Sequence, residues 1–270
     1  MILNLLISTI DNRILGLKNV INHEKNVVFT ISHQITQTLD SMTMSYIKEL
    51  KELKNVEYFF LSSKGVAKSR NNALKHRVKN SICLICDDDI IYYENSFKKI
   101  LKEFKEDSSL EFLTFKIKTF DGKDYKRYKK NSFRHNTKSL SNIGIIDVAF
   151  KESVIEKYGL KFDERFGPNS KYSIGEDFIF MMDALKRGAK IIYTPMDILQ
   201  HEDIGTGQIL RDDIIFGRGA MFARVFGKLC YILDLYFAIK NRKKYIEKYT
   251  VFEYINLLFK GSFDFMRVYR

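Results

Sequence analysis

Four short apolar runs within the first 89 residues constrain the fold of this chain more than any other feature. Each run is nearly continuous in Val, Ile, Leu and Phe, which is typical of strands that helices cover on both faces of a parallel sheet. The stretches between them carry apolar residues at helical spacing, so the pattern predicts an α/β fold with a mostly parallel central sheet and flanking helices. The predicted strands are Ile2–Thr9, Asn26–Ser32, Val56–Leu61 and Ser81–Cys86, and the predicted helices between and after them are Ser41–Leu53, Val66–Val78 and Ser96–Phe104.

The second half of the chain continues the α/β pattern and then changes character. We predict strands Phe112–Phe120, Ile143–Phe150 and Lys190–Thr194, and a helix Phe178–Lys186. The part between the first two of these strands, Asp121–Leu140, has seven Lys/Arg against two acids; it is predicted to be a mobile loop and is called the basic segment below. After Gly205 and Gly207 the sequence becomes helical, basic and aromatic-rich. The predicted organisation is therefore an α/β domain over 1–205 and a helical C-terminal extension over 206–270.

Cysteine content and hydropathy indicate the compartment. Three cysteines in 270 residues cannot form a disulfide framework, which favours a reducing, cytoplasmic location. Cys83 and Cys86 form a CxxC, but both lie inside a predicted buried strand, so we interpret them as core thiols rather than a metal or redox pair. No uncharged apolar run reaches about 18 residues, so any membrane contact is predicted to be peripheral, at the inner face.

The net charge of the chain limits the classes of binding partner that it attracts. The formal net charge is +12, which attracts nucleic acid, anionic lipid head groups or phosphorylated substrates. Charge alone leaves open a non-enzymatic polyanion-binding protein. That alternative does not explain the clustered acids described next, because unneutralised carboxylates repel phosphates.

Three adjacent carboxylates are the sharpest candidate for chemistry. Asp87, Asp88 and Asp89 directly follow the predicted strand Ser81–Cys86, and ligands of open α/β sheets bind at the carboxyl ends of strands. Oxygen ligands of this kind favour Mg²⁺ or Mn²⁺ with positions left open for substrate phosphates. The simpler alternative is a solvated acidic turn or a helix cap.

Three weaker features accompany the triplet. Asp177 opens the helix that starts at Phe178, where it could cap the helix or act as a general base. His201 follows the last predicted strand, and an imidazole there could be a surface residue or a ligand for an Mn²⁺-like ion. Arg70 lies in the first turns of the helix after Gly65, where it could hold a diphosphate or a carboxylate, or simply belong to a solvated basic face.

Taken in order, these motifs resemble a family 2 glycosyltransferase, the inverting GT-A group of bacterial polysaccharide synthesis. The resemblance extends from about Leu3 to His201. Its elements are Ser8-Thr9-Ile-Asp11-Asn12-Arg13, Gly65-Val-Ala-Lys-Ser-Arg70-Asn71, Leu84-Ile-Cys-Asp87-Asp88-Asp89, Phe162-Asp-Glu-Arg-Phe166 with Gly175-Glu176-Asp177, and His201. No single element is specific, but the ordered set is.

The resemblance implies roles for individual residues. Thr9, Asp11 and Arg70 would line the nucleotide pocket, and Asp87 and Asp88 would belong to the same donor site. Asp89 would bind the divalent cation, Mn²⁺ or Mg²⁺, that bridges the diphosphate, with His201 as a further metal or phosphate contact. Asp177 would be the catalytic base. The implied partners are a nucleotide-sugar donor, a glycan or lipid-linked acceptor and an anionic membrane surface, with no specific nucleic acid.

One departure from the family pattern leaves the identity of the donor nucleotide open. Family members commonly carry a pair of acids after the second strand that reads the base, whereas this chain has Ile31-Ser32-His33-Gln34. A nucleotidyltransferase acting on sugar phosphates shares the layout and the carboxylate-bound metal, so it is the first enzymatic alternative. It would usually carry a Gly-rich phosphate loop after the first strand, and Thr9 to Arg13 contains no glycine.

Overall fold

A computed structural model of the chain describes residues 1–21, 25–141, 143–201 and 210–269. Contacts divide the chain into two compact units. The first comprises residues 1–64, 68–162 and 184–203, and the second comprises 65–67, 163–183 and 204–270. The predicted boundary between 205 and 206, with Thr206 and the two flanking glycines, lies outside the described residues.

Among the described residues, the first unit contains a nine-stranded sheet. Its strands are β1 Ile2–Ile10, β2 Val27–Gln34, β3 Val56–Leu61, β4 Ser81–Cys86, β5 Ile91–Tyr92, β6 Phe112–Thr119, β7 Phe133–Arg134, β8 Val148–Lys151 and β9 Ile191–His201. The helices in the described part of the chain are α1 Ser41–Glu52, α2 Val66–Lys75, α3 Ser96–Glu106, α4 Thr137–Leu140, α5 Val154–Lys157, α6 Glu176–Lys186, α7 Asp212–Phe226, α8 Cys230–Tyr245 and α9 Val251–Tyr269.

Strand direction brings several strand ends to one edge of the sheet. The strand order is β3-β2-β1-β4-β8-β6-β9-β5, and β7 pairs with β9. β1, β2, β3 and β4 run parallel to one another, and β8 lies antiparallel between β4 and β6, which is parallel to β9. The carboxyl ends of β1, β2, β4 and β9 therefore point toward the same edge. The expectation of a mostly parallel α/β sheet is confirmed.

The core of this unit explains the apolar runs. Every residue of β4 is buried, and Leu3, Leu5, Leu6 and Ile7 of β1 are completely buried, because both strands are central and covered on both faces. Cys83 and Cys86 are fully buried free thiols, as predicted, and burial raises the pKa of Cys83 to about 12.

Three predicted elements differ from the observed ones. The strand expected over Ile143–Phe150 is shorter, because a 3-10 turn at Ile145–Asp147 precedes β8. The strand expected to end at Thr194 continues to His201, with register shifts against β6. The basic segment is not a plain loop: it contains β7 and α4, and Asp124 joins it to β6 by ion pairs with Lys116 and Lys118 at 3.2 and 2.7 Å.

The second unit is built mainly from α7, α8 and α9, as expected of the C-terminal region. α7 and α9 approach closely at two glycines: a Cβ on Gly219 would lie 1.9 Å from the Leu258 carbonyl oxygen, and one on Gly261 equally close to that of Phe216. Tyr245 of α8 stacks on Tyr254 of α9 with ring centroids 3.7 Å apart. Within the described parts of the chain, no helix combines the length and the apolar character that crossing a bilayer requires.

Candidate active site

The acidic triplet lies where the first unit gathers its strand ends. Asp87, Asp88 and Asp89 follow β4 directly, and Thr9 of β1 and His201 of β9 lie at the same edge of the sheet. A nine-residue 3-10 segment, Asp11–Asn19, follows β1. This segment passes so close to the triplet that a Cβ on Gly16 would lie 2.2 Å from the Asp88 carbonyl oxygen.

Asp88 is the buried member of the triplet, with a relative exposure of 6%. Its carboxylate accepts a hydrogen bond of 2.7 Å from the Thr9 hydroxyl and hydrogen bonds from Nε and Nη2 of Arg13. Burial raises the pKa of Asp88, and the Arg13 and Thr9 hydrogen bonds act in the opposite direction. A buried carboxylate held by a guanidinium and a hydroxyl is a fixed part of the framework.

Asp89 is the accessible member, and two basic groups face it. Arg13 Nη2 lies 2.9 Å from its Oδ2 and His201 Nε2 lies 3.3 Å from its Oδ1, with 42% of the Asp89 side chain exposed. The hydrogen bond from His201 lowers the pKa of Asp89, and Arg13 adds to this effect while burial opposes it. Asp89 is therefore ionised, and it is the solvent-accessible carboxylate of the triplet, with the His201 imidazole beside it.

Asp87 is held from another element. Arg70 of α2 donates from Nη2 to the two Asp87 carboxylate oxygens at 3.2 and 3.5 Å, and its guanidinium lies over the Phe162 ring at 5.6 Å. Asn71 fixes Phe162 by exchanging hydrogen bonds of 2.9 and 2.8 Å with its backbone. Asn71 therefore positions the ring over which the Arg70 guanidinium lies.

Asp11 lies at the end of β1, with φ in the left-handed region at 48°. Its carboxylate accepts from the backbone and hydroxyl of Thr36 at 2.7 and 2.8 Å. Burial raises the pKa of Asp11, but these hydrogen bonds outweigh it and the pKa lies below its ordinary value. His33 is fully buried and uses both ring nitrogens, toward the Asp11 carbonyl at 2.8 Å and the Tyr58 hydroxyl at 2.7 Å. Those contacts make His33 a support for the Asp11 turn.

Two buried polar atoms near the end of β1 lack a hydrogen-bond partner among the described residues. They are the Ser8 hydroxyl oxygen and the Asn12 side-chain oxygen. Buried polar groups in folded proteins are nearly always paired with protein, water or ligand. Their position beside Thr9 and Asp11 is what a site for a polar ligand provides.

The donor set at Asp89 suits a divalent cation only in part. In the stretches that the structure describes, no three His, Cys, Asp or Glu side chains are grouped to hold a metal ion. A carboxylate and an imidazole 3.3 Å apart nevertheless match the ligand preference of Mn²⁺, and Mg²⁺ or Mn²⁺ sites often use one or two protein ligands and complete the shell with substrate phosphates and water. The residues therefore fit an ion that binds together with a phosphorylated substrate.

Asp177 belongs to the second unit, whereas the triplet belongs to the first. It lies in the first turn of α6, half-buried, after Gly175 with φ at 109°. Glu176 beside it is buried, and a Cβ on Gly167 would lie within 2.9 Å of its carboxyl group. Of the two adjacent acids Glu176 and Asp177, Asp177 is thus the more accessible to solvent.

Sequence reasoning did not assign two residues that shape the site. Arg13 contacts both Asp88 and Asp89, and the ring of Tyr125, from the basic segment, lies edge-on to His201 at 5.9 Å. The position of Arg13 two residues after Asp11 was the available signal. Nothing in the sequence pointed to Tyr125.

Comparison with protein families identifies the class. Residues 18–185 match the family described as glycosyl transferase family 2. Because this match covers more than half of the chain, the protein belongs to that family and is a glycosyltransferase with a GT-A type fold. The resemblance drawn from the sequence motifs is confirmed. The search of curated proteins gave no significant match.

Solved structures with the same fold include three of S. aureus TarS. The structure of TarS residues 1–349 aligns with 100% of this chain and 93% of its own at 15% identity and a TM-score of 0.64. The same segment in complex with UDP aligns over 99% and 89% at 12% identity and a TM-score of 0.65. A third TarS structure aligns over 96% and 55%, with 13% identity and a TM-score of 0.62.

Proposed function

We propose that this enzyme transfers a sugar from a nucleotide-sugar donor to a hydroxyl of a glycan or lipid-linked acceptor, with inversion, in surface polysaccharide synthesis. The observation that carries the proposal is the acidic triplet at the end of β4, held from three directions by Thr9, Arg13 and Arg70 in a chain of this family. Family membership favours glycosyl transfer over the nucleotidyltransferase and polyanion-binder alternatives.

The donor is proposed to bind at the carboxyl ends of β1 and β4. Thr9, Asp11, Arg70, Asp87 and Asp88 form this site, with the unpaired atoms of Ser8 and Asn12 beside it. Because Asp88 and Asp87 are bonded to basic side chains, they are fixed before the donor arrives, which reduces the cost of ordering the site on binding. The UDP complex of TarS makes a uridine nucleotide the first donor class to test.

Asp89 and His201 are proposed to hold a divalent cation, Mn²⁺ or Mg²⁺. When bound, such an ion would neutralise the charge that develops on the departing diphosphate. Arg13, 2.9 Å from Asp89, keeps this carboxylate ionised and oriented toward the open side of the triplet. The lowered pKa of Asp89 supports the same role, since a ligand carboxylate must be deprotonated.

Asp177 is proposed to be the catalytic base. It would take the proton of the acceptor hydroxyl as that oxygen attacks the anomeric carbon from the face opposite the nucleotide. The bond from the anomeric carbon to the diphosphate oxygen breaks, and the electron pair leaves with the nucleoside diphosphate. One displacement of this kind inverts the configuration at the anomeric carbon.

The basic segment supports an acceptor that carries phosphate. Six of its cations are exposed, and Tyr125 of the same segment contacts His201. Phosphate groups of a lipid-linked diphosphate would be attracted to such a surface, and an acceptor of that type would bring the enzyme to the inner face of a membrane. The exposed cations are Lys123, Arg127, Lys129, Lys130, Arg134 and Lys138.

A thermal-shift panel tests the proposal. UDP-, GDP-, CMP- and dTDP-sugars are added with and without Mn²⁺, and a ligand that binds only the folded state raises the melting temperature. We expect one nucleotide class to stabilise the protein, and more so with Mn²⁺. No stabilisation by any of the four classes would contradict the proposal.

A further inference from the structure

Helix α8 exposes a row of large apolar side chains. Ile232, Tyr236 and Ile239 have relative exposures of 65%, 57% and 69%. Leu235, and Leu229 directly before the helix, extend the row. Their spacing of three and four residues places them on one side of the helix. We call these five residues the exposed stripe.

The opposite side of α8 is the one that packs within the second unit. Asp234 is completely buried and accepts a hydrogen bond of 2.6 Å from Ser262 of α9. Ala238 and Tyr245 belong to a buried cluster with Tyr254 of α9. The core of this unit is therefore complete without the exposed stripe, and helix packing does not explain why the stripe is apolar.

Helix α9 extends the apolar surface. Phe252 and Phe263 are 78% and 59% exposed, and both lie on the same side of α9 as Phe259, because they are separated from it by seven and four residues. Tyr231 of α8 contacts the Phe259 ring at 5.4 Å, which joins the two helices at this surface. Large apolar side chains exposed on two neighbouring helices mark an interaction site rather than ordinary surface.

The exposed charges of α8 itself are all positive, whereas Glu247 after the helix and Glu253 at the start of α9 are exposed acids. Lys240, Arg242, Lys243 and Lys244 are exposed in the last turns of α8, and Lys228 precedes the helix. The one acid within α8 is the buried Asp234. The exposed surface is thus apolar from Leu229 to Ile239 and cationic at the two ends of this stretch.

We propose that the exposed stripe of α8, with the exposed phenylalanines of α9, lies on the surface of an anionic phospholipid bilayer. A helix with an apolar face and Lys/Arg at its flanks inserts that face at the boundary of head groups and acyl chains, while the cations meet anionic head groups. A protein partner is disfavoured because lysine is depleted from protein interfaces. This inference does not depend on the donor, the cation or the transfer reaction.

Vesicle flotation tests the inference with the full chain and without donor or metal. Vesicles of phosphatidylcholine alone are compared with vesicles containing about one quarter phosphatidylglycerol, at about 0.05 M and 0.5 M NaCl. We expect binding to the anionic vesicles, weakened by salt, and much less binding to the neutral ones. The double variant Ile232→Ser/Ile239→Ser is expected to lower the partition coefficient about tenfold or more.

A matched control uses exposed apolar residues elsewhere. Met42 and Met44 of α1 are 61% and 49% exposed, and Met42→Ser/Met44→Ser should bind vesicles like the unaltered protein. Lys240→Gln/Lys243→Gln should reduce binding to anionic vesicles only. Because every substituted residue is exposed, circular dichroism spectra should be unchanged.

Three outcomes would overturn the inference. These are failure of the unaltered protein to bind anionic vesicles, unchanged binding of Ile232→Ser/Ile239→Ser, and a dimer in sedimentation that this variant dissociates. The last result would assign the stripe to a second copy of the chain. Donor binding in the thermal-shift panel is a separate measurement, so failure of the membrane inference and failure of the proposed function can be told apart.

Discussion

Replacing Asp89 by asparagine should remove activity while leaving the fold nearly unchanged. The substitution keeps the shape of the side chain but removes the charge that faces Arg13 at 2.9 Å and His201 at 3.3 Å. With 42% of the side chain exposed, these are surface ion pairs, and pairs of that kind contribute up to about 1 kcal/mol to folding. We therefore expect the free energy of unfolding to fall by less than about 1 kcal/mol.

The effect on catalysis should be much larger. A cation that neutralises a departing diphosphate supplies several kcal/mol of transition-state stabilisation, and each 1.36 kcal/mol corresponds to a tenfold change in rate. Loss of about 3–4 kcal/mol would lower the rate of transfer by about 10²- to 10³-fold. The substitution would thus lower the rate of transfer far more than it lowers the stability of the fold. That difference distinguishes a metal ligand from an acid with a structural role.

The assay measures release of nucleoside diphosphate from the donor that the thermal-shift panel identifies, at saturating donor and Mn²⁺, together with urea unfolding. Asp107→Asn is the matched control. Asp107 is 47% exposed and forms an ion pair with Lys190 at 3.0 Å, and it lies outside the acidic triplet. The control should transfer at the wild-type rate. Wild-type activity in Asp89→Asn, or an equal fractional loss of activity and of folded protein, would refute the reasoning.

Three further predictions concern other parts of the molecule. Asp177→Asn should lower the rate of transfer by about 10²-fold or more and leave nucleotide binding in calorimetry unchanged. The control Asp212→Asn, in the first turn of α7, should be active. Normal turnover of Asp177→Asn would exclude Asp177 as the base. Gly16→Ala should reduce both the melting temperature and the nucleotide affinity. The added Cβ would lie 2.2 Å from the Asp88 carbonyl oxygen, and overpacking costs about 1–3 kcal/mol. An unchanged melting curve would contradict the close packing of Gly16 against Asp88. Burial raises the pKa of Asp234 from 3.8 to about 6, so its ionisation opposes folding as pH rises through that range. Asp234→Asn should therefore gain up to about 3 kcal/mol over the wild type between about pH 4 and pH 8 in urea unfolding, and a gain independent of pH would contradict the burial.

The strands of the first half could be predicted because burial on both faces leaves a plain sequence signal. β1 and β4 are buried along nearly their whole length, so their apolar runs coincide with the strands. β9 was underestimated because its second half, from Pro195 onward, is partly exposed and mixed in polarity. The strand over Ile143–Phe150 was overestimated, since an apolar run does not distinguish a 3-10 turn from a strand when both are buried.

The acidic triplet could be found from the sequence, but its partners could not. Arg13 meets Asp88 across 75 residues of chain, through a 3-10 segment whose path depends on the close approach of Gly16. Such a contact follows from tertiary packing and leaves no periodic signal.

The same limit applies to the helical region. Helical spacing in the sequence also groups Phe222, Val225, Phe226, Leu229, Leu233 and Phe237, and that spacing alone fits a membrane-facing stripe and a packed one equally well. Phe222 contacts both Phe226 and Phe237 within the second unit, and Val225 is buried, so most of that stripe packs. The exposed stripe shares only Leu229 with that set, and its other four residues lie on another side of α8. Helical spacing cannot choose between two apolar faces, because the choice depends on which face the neighbouring helix covers.

The central claim is that the acidic triplet at the end of β4 binds the diphosphate of a nucleotide donor through a cation at Asp89. A crystal structure with Mn²⁺ and the nucleoside diphosphate identified by the panel tests it most directly. The account predicts an anomalous manganese peak about 2.2 Å from an Asp89 carboxylate oxygen, with the diphosphate in its coordination shell and the nucleoside beside Thr9 and Asp11. Manganese or nucleotide bound elsewhere, with no density at Asp89, would contradict it.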